Sequence, residues 1–224
     1  MQEKIHNFAD FCAALREAGF SMGGANGEGI FTLAERFGDQ ICWHTENAET
    51  DPWAWRIRGV TETREFAYAK VFFGKGGWIT RAWYPYFLAA RREGKSLEEL
   101  YRLGAVKSLE KEVYQKILER GTISLQELKS CFGPEAKVEA ALNGLQMKLF
   151  ITINGETRKL SKAGLPYGWP VTTFCTVERF FGEELLEQAA GITKTQAAEA
   201  IACQVKLLNP RAEQKKINKF IAAI

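Results

Sequence analysis

One short segment combines acidic, aromatic and basic side chains closely enough to hold a planar ligand. It runs from Glu46 to Arg58 and contains two indole rings, two guanidinium groups and three carboxylates. Rings and guanidinium planes offer stacking surfaces, and a carboxylate beside them can position a water molecule. The candidate pocket consists of Asp51, Trp53, Trp55 and Arg56. The alternative is a solvated loop before a buried strand, because Trp53, Trp55 and Ile57 alternate with other residues.

Other catalytic patterns are incomplete. His44-Thr45-Glu46 has the H-x-E order of zinc deaminases, but the P-C-x-x-C that would supply the remaining ligands is missing. Gly74-Lys75-Gly76-Gly77 lacks the earlier glycine and the following Ser or Thr of a phosphate-binding Walker loop. The sequence therefore predicts no metal site and no cofactor.

Composition indicates an ordinary globular protein. Charged residues make up 25% of the 224 residues, and the formal net charge of +3 permits contact with nucleic acid without requiring it. No apolar run approaches the roughly 18 residues of a membrane span, and the N-terminus lacks the order of a secretory signal. The five cysteines are scattered and never form C-x-x-C, which is typical of reduced thiols. We expect a soluble cytoplasmic protein without membrane contact.

The segment Glu110–Leu160 has the clearest architecture. Three stretches with helical apolar spacing are separated by glycines, and Ser124 with Glu127 forms the capping box of the second. Asn154-Gly155 is a strong hairpin-turn signal, so Thr157–Leu160 is predicted to return as the second strand. Helix, turn, helix, turn, helix and hairpin is the order of a winged helix.

The rest of the chain divides around this unit. Five of the six tryptophans precede residue 84, within a region where we expect a strand at Gln40–His44 and a strand or short helix at Phe66–Phe73. We predict an α+β fold, mainly helical, in three parts. They are an aromatic-rich N-terminal α/β region (1–104), a winged helix-turn-helix (105–173) and C-terminal helices (174–224).

The third helix of the predicted winged helix is a poor reader of the DNA major groove. Its outward face is composed mostly of small residues, which favour packing against another element. Only Lys137 and Asn143 on that face can contact DNA. The wing carries further basic residues, namely Arg158, Lys159 and Lys162. Such residues contact phosphates without reading sequence, so double-stranded DNA is the candidate partner.

Several short motifs resemble the AlkZ-related bacterial proteins, which are akin to winged-helix DNA glycosylases of the AlkZ type. They are Asp51-Pro52-Trp53-x-Trp55-Arg56, Phe66-Ala67-Tyr68-x-Lys70, Trp83-Tyr84-Pro85, Leu145-Gln146-Met147-Lys148 and Tyr167-Gly168-Trp169. The resemblance implies a winged-helix architecture and recognition of damaged DNA. It transfers no catalytic residue, because the glycosylases depend on a Gln-apolar-Gln motif. Here Gln146-Met147-Lys148 is the nearest segment and lacks the second glutamine.

Three hypotheses about function follow. The first is a winged-helix protein that binds DNA or acts in DNA damage, with non-sequence-specific contact through the wing. The second is a glycosylase-like hydrolase with a pocket around Trp53, Trp55 and Arg56. The third is a winged helix that binds another protein.

Overall fold

The computed structural model describes residues 3–161 and 163–222 and contains helices and two small antiparallel sheets, which confirms the predicted α+β class. The helices of the described residues are α1 (Phe8–Ala18), α2 (Pro52–Arg58), α3 (Tyr84–Arg92), α4 (Leu97–Arg102), α5 (Ser108–Arg120), α6 (Leu125–Phe132), α7 (Val138–Met147), α8 (Val177–Phe181), α9 (Glu183–Ala190), α10 (Lys194–Leu208) and α11 (Gln214–Ala222). The strands are β1 (Phe20–Met22), β2 (Phe66–Phe72), β3 (Lys75–Thr80), β4 (Ile123–Ser124), β5 (Ile151–Leu160) and β6 (Pro166–Thr176). A 3-10 turn spans Leu33–Arg36, and a π-helical turn, Gly59–Thr63, continues α2.

The first sheet has the order β1-β3-β2 and belongs to an aromatic core. This core joins the N-terminal region to the C-terminal helices. Phe220 of α11 lies among rings from both sheet and helix, with centroid distances of 5.4 Å to Phe72 and 5.7 Å to Phe87. Residues 5–90 therefore share one hydrophobic cluster with residues 177–221.

A second hydrophobic cluster lies mainly in residues 97–174 and contains the sheet with the order β4-β6-β5. Val113 and Ile117 of α5, Leu128 of α6 and Leu142 of α7 supply its buried helical side chains. This cluster corresponds to the middle part of the predicted division into three. The boundaries of that division stay a prediction.

The predicted strand around Trp53 and Trp55 is wrong, because these residues belong to α2. Asp51 caps the helix by accepting a hydrogen bond from the Trp53 amide at 2.8 Å, and Pro52 occupies the first turn, where its missing N–H costs nothing. The Asp-Pro signal therefore outweighs the two-residue alternation. The strand predicted at Gln40–His44 is also wrong, since these residues form turns and bends. Of the two alternatives for Phe66–Phe73, the strand is the one observed, as β2.

The predicted hairpin is present, but the position of its turn was wrong. Strand β5 runs through Asn154-Gly155, which form a bulge where Gly155 has φ +149° and Asn154 donates to the Thr122 hydroxyl at 2.9 Å. The strands instead stay paired as far as Leu160 and Pro166, and beyond them the Ser161 amide donates to the Leu165 carbonyl at 2.8 Å. Strands of 10 and 11 residues extend about 33 Å. The hairpin is therefore much longer than predicted.

Strand β6 contains two prolines, and the sheet order explains how it accepts them. Strand β4 pairs with β6 only at Thr173 and Phe174. Pro166 and Pro170 lie nearer the turn, where β5 is the single pairing neighbour. An edge position tolerates a residue without an N–H.

Helix α7 packs tightly along its C-terminal half. A Cβ atom on Gly144 would lie 1.8 Å from Oε1 of Glu110 on α5. The Glu110 carboxylate is buried there, pairs with Lys148 Nζ at 3.1 Å and accepts the Lys107 amide at 2.9 Å. Nearer Lys137 the helix also has an exposed side, with Glu139 and Ala140, while Val138 is buried. The glycine thus allows a buried ion pair to lie against the helix backbone.

Arg91 of α3 connects three elements from inside the protein. Only 2% of the residue is exposed. Its guanidinium donates to the carbonyl oxygens of Met147 at 3.0 Å, Val71 at 2.9 Å and Phe220 at 2.6 Å. These bonds tie the end of α7, strand β2 and helix α11 to one side chain. Burial lowers its pKa to about 10, so the group stays protonated at neutral pH.

Candidate functional site

A cleft of about 230 Å³ lies where α2, β2 and α7 meet the base of the β5–β6 hairpin. Its lining residues come from segments that are distant in sequence, so the cleft exists only in the folded chain. The polar and aromatic side chains of this cleft are Trp53, Arg56, Tyr68, Lys70, Glu139, Asn143, Gln146, Thr172 and Phe174.

The capping of α2 determines which of its side chains reach the cleft. The Asp51 carboxylate accepts the amides of His44 at 3.0 Å and Thr45 at 3.2 Å in addition to the helix N-terminus. In the orientation that results, Trp55 is fully buried and stacks on Phe11 with a centroid distance of 4.9 Å. Trp53 and Arg56, three residues apart and therefore on one helix face, line the cleft.

Arg56 lies between an aromatic ring and the hairpin. Its guanidinium carbon is 4.0 Å from the centroid of the Trp53 ring, a close cation–π contact, and 5.9 Å from that of Tyr68. Its Nη1 donates to the Thr172 hydroxyl at 3.2 Å. Nε is buried and has no hydrogen-bond acceptor among the described residues. The side chain is thus held in place, with its Nε enclosed by the surrounding protein.

The cleft is positively charged. No described carboxylate pairs with Arg56 or Lys70, whereas Glu139 at the opposite wall is neutralised by Lys129. Burial lowers the pKa of Arg56, and it raises the pKa of Tyr68. Both stay protonated at neutral pH. A cationic cleft with aromatic walls attracts electron-rich planar groups and anions.

Helix α7 contributes two amide side chains one turn apart. Asn143 is half-buried, and Gln146 is 4% exposed. Gln146 Nε2 donates to the Leu142 carbonyl at 3.4 Å, while Oε1 has no donor among the described residues. An unsatisfied buried acceptor costs free energy, and this atom is enclosed by protein rather than open to the cleft.

The remaining residues predicted for the site are dispersed. Lys137 is exposed before α7, and Arg158 is exposed on the distal part of β5. The backbone of Lys159 pairs with Tyr167. Lys162 lies outside the described residues. The structure thus brings together one residue of the predicted DNA-contacting set, Asn143, and two residues of the predicted pocket, Trp53 and Arg56.

The side chains of the cleft that sequence reasoning missed include Tyr68, Lys70, Gln146 and Thr172. Two signals point to them. Tyr68 and Lys70 are two apart and share a face of a strand, and Gln146 follows Asn143 at helical spacing. No sequence signal brings Thr172 near Arg56, because the two residues are 116 positions apart and meet only when the chain between them has folded.

The end of the hairpin bears exposed apolar side chains near Arg158. Trp169 is 91% exposed, and Leu165 and Tyr167 are also exposed. Large apolar residues grouped on a projecting element are typical of a surface that binds a partner.

Two classes of site find no support in the part of the chain that the structure describes. No group of three or more His, Cys, Asp or Glu side chains is arranged to hold a metal ion. None of the described helices combines the length and apolarity needed to cross a membrane.

Comparison with known proteins gives one result. The model of a protein family described as AlkZ related matches residues 5–222, which is nearly the whole chain. No curated protein and no solved structure matches the chain.

Proposed function

Because the chain belongs to the AlkZ-related family, we propose that it is a DNA-binding protein with a role in DNA repair. In this proposal α5, α6, α7 and the β5–β6 hairpin form a winged helix, and the hairpin is its wing. The order of the elements and the pairing of β4 with β6 support this assignment. All described cysteines are free thiols, which agrees with the cytoplasmic location that we include in the proposal.

The observation that carries the proposal is the exposed end of the hairpin. Arg158 supplies a cation for phosphate, and Trp169 supplies an aromatic surface for a base or a sugar. Proteins that bind the minor groove use this combination, inserting apolar side chains beside basic ones. Helix α7 is less suited to the major groove, since Gly144 and its neighbours face α5.

Replacing Arg158 by alanine is expected to weaken binding to duplex DNA and to reduce its dependence on salt. Each phosphate contact contributes about 0.9 to the slope of log K against log salt, so the slope should fall by about 1. Fluorescence anisotropy at several salt concentrations measures both quantities. The matched control is Arg102→Ala, which removes an exposed arginine from α4. Equal slopes for the two variants would contradict a phosphate contact at Arg158.

Replacing Trp169 by alanine is expected to weaken DNA binding by about 5- to 150-fold, because base–aromatic stacking contributes about 1–3 kcal/mol. A side chain that is 91% exposed contributes little to folding, so thermal stability should not change. Leu207→Ala on α10 removes another exposed apolar side chain and serves as the control. If both variants bind like the parent protein, the hairpin end does not contact DNA.

The hydrolase alternative has weaker support. Hydrolysis of a base requires a general acid or base close to the reacting bond. Glu139 is the described carboxylate of the cleft, and it is exposed and ion-paired with Lys129. Asp51 is occupied with capping α2. The cleft is therefore better suited to holding a base than to cleaving its bond.

A further inference from the structure

Another pocket, of about 520 Å³, lies beside the hairpin and shares no lining residue with the cleft described above. It is formed by the π-helical turn Gly59–Thr63, the chain that enters β4, the bulge of β5 and helix α8. Its charged side chains are Arg64 and Arg179, both exposed, and no carboxylate of the described residues lines it. A pocket lined by cations alone attracts anions.

Arg64 has acidic neighbours in the sequence, but other arginines engage them. Glu62 pairs with Arg58 at 2.8 Å, and Glu65 pairs with Arg16 at 2.7 Å. Among the described residues the Arg64 guanidinium makes no ion pair or hydrogen bond. The residue ends the π-helical turn with φ +54°, a left-handed backbone that is uncommon for a residue with a side chain.

Arg179 on α8 is unpaired for the same reason. The adjacent Glu178 pairs with Arg92 at 3.2 Å. A Cβ atom on Gly121 would lie 2.9 Å from the guanidinium carbon of Arg179, so this group lies directly over the chain that enters β4. Only a glycine leaves room for it there.

The two guanidinium groups lie close to one buried thiol. Burial raises the pKa of Cys175 to about 12, and the positive charges of Arg179 and Arg64 both oppose that rise. The thiol stays neutral at pH 7 and compensates for neither charge. Thr122 adds a neutral donor, because its hydroxyl oxygen accepts from Asn154 at 2.9 Å and its O–H is left to donate.

We propose that this pocket binds a phosphate monoester, with Arg64 and Arg179 matching its two negative charges and Thr122 donating to one of its oxygens. Guanidinium groups donate to phosphate oxygens through two N–H groups at once, which makes arginine well suited to this ligand. A phosphate inside a DNA strand carries one negative charge, whereas a monoester carries about 1.5 to 2 at neutral pH. Two unpaired cations in one pocket therefore favour the monoester.

Two sources carry this group, namely the phosphorylated end of a DNA strand and a free phosphate compound. The position of the pocket favours the strand end. Asn154 lines the pocket and belongs to β5, the strand that carries Arg158 further towards the end of the hairpin. This choice of source rests on the DNA binding proposed above, whereas the binding of phosphate itself does not.

The test compares two short duplexes of the same sequence, one ending in phosphate groups and one in hydroxyl groups, with inorganic phosphate as a third probe. We expect the phosphorylated duplex to bind about tenfold more tightly, which corresponds to about 1.4 kcal/mol. The preference should shrink between about pH 8 and about pH 5, because a phosphate monoester takes up a proton near pH 6 and arginine does not titrate there. Inorganic phosphate should shift the NMR signals of the Arg64 and Arg179 Nε–H groups.

The variants Arg64→Gln and Arg179→Gln each remove one charge from the pocket and keep a polar side chain. Each should lose most of the preference for the phosphorylated duplex and weaken the binding of inorganic phosphate. Thermal stability should not change, because both side chains are exposed and unpaired. Arg102→Gln removes an exposed arginine from α4 and is the matched control, which should keep the preference.

The outcomes distinguish this proposal from the proposed function. A preference that is lost in both pocket variants and kept in Arg102→Gln would support binding of a strand end. Phosphate binding at the two arginines without a preference between the duplexes would support the pocket and assign it to a free phosphate compound. Phosphate binding with binding of neither duplex at low salt would overturn the proposed function alone. The pocket would be overturned if the protein showed neither phosphate binding nor a preference, or if both persisted unchanged in the two variants.

Discussion

Arg91→Met is expected to lower the free energy of unfolding by about 2–6 kcal/mol. The substitution removes the donor from the carbonyls of Met147 and Phe220, and a buried acceptor without a partner costs about 1–3 kcal/mol. The Val71 carbonyl loses less, since it also accepts the Phe73 amide at 3.0 Å. Urea titration followed by circular dichroism at pH 7 measures the change.

The control for this prediction is Arg102→Met, where the side chain is 73% exposed and its ion pair with Glu98 is long, at 3.7 Å. It should change stability by no more than about 0.5 kcal/mol. Arg91→Lys keeps a cation but loses the planar arrangement of donors. Its loss of stability should therefore lie between those of Arg91→Met and Arg102→Met. A loss below about 1 kcal/mol for Arg91→Met would show that the three carbonyls find other donors.

Gly144→Ala is expected to lower the free energy of unfolding by about 2–4 kcal/mol, although alanine is the better helix former. The gain in helix propensity is about 1 kcal/mol. The new Cβ would overlap Oε1 of Glu110 and displace it from Lys148, and breaking a buried ion pair costs about 3–5 kcal/mol. The cost of displacement exceeds the gain. Urea titration measures the net change.

The same substitution in a protein that already carries Glu110→Ala tests whether Glu110 causes the loss of stability. In a Glu110→Ala protein the obstacle is gone, so adding Gly144→Ala should be neutral or stabilising by up to about 1 kcal/mol. The sign of the effect therefore reverses between backgrounds. Ala140→Gly, at an exposed position one turn earlier on α7, provides the propensity difference without a clash. The same loss in both backgrounds would contradict the role of Glu110.

Local signals account for the parts of the fold that the sequence predicted correctly. The capping box at Ser124 and Glu127 is present, with the Glu127 amide donating to Ser124 Oγ at 3.2 Å. The α+β class followed from apolar spacing over long segments. The seven-residue α2 was missed, because it is too short for a 3.6-residue period to outweigh an alternation of tryptophans. At Asn154-Gly155 a turn signal lies in a bulge, because pairing with β6 extends the strand beyond it.

The candidate site could be predicted only in part for a related reason. Trp53 and Arg56 were identified by residue type, and Asn143 by its position on a helix face. Gln146 was not considered for the site, since its significance lies in an unsatisfied oxygen that becomes visible only when the surrounding atoms are known. Trp55 has the same residue type as Trp53 but lies in the core, because its side chain extends from the opposite side of α2.

The two hydrophobic clusters have a consequence for the order in which the protein folds as it is synthesised. The cluster of residues 97–174 uses mostly neighbouring segments, so it can form soon after Phe174 leaves the ribosome. The cluster that begins at Ile5 waits for Phe220, whose ring fills its centre. The first part of the chain to be made is therefore the last to close, because its aromatic strands gain their full set of partners only after α11 has left the ribosome.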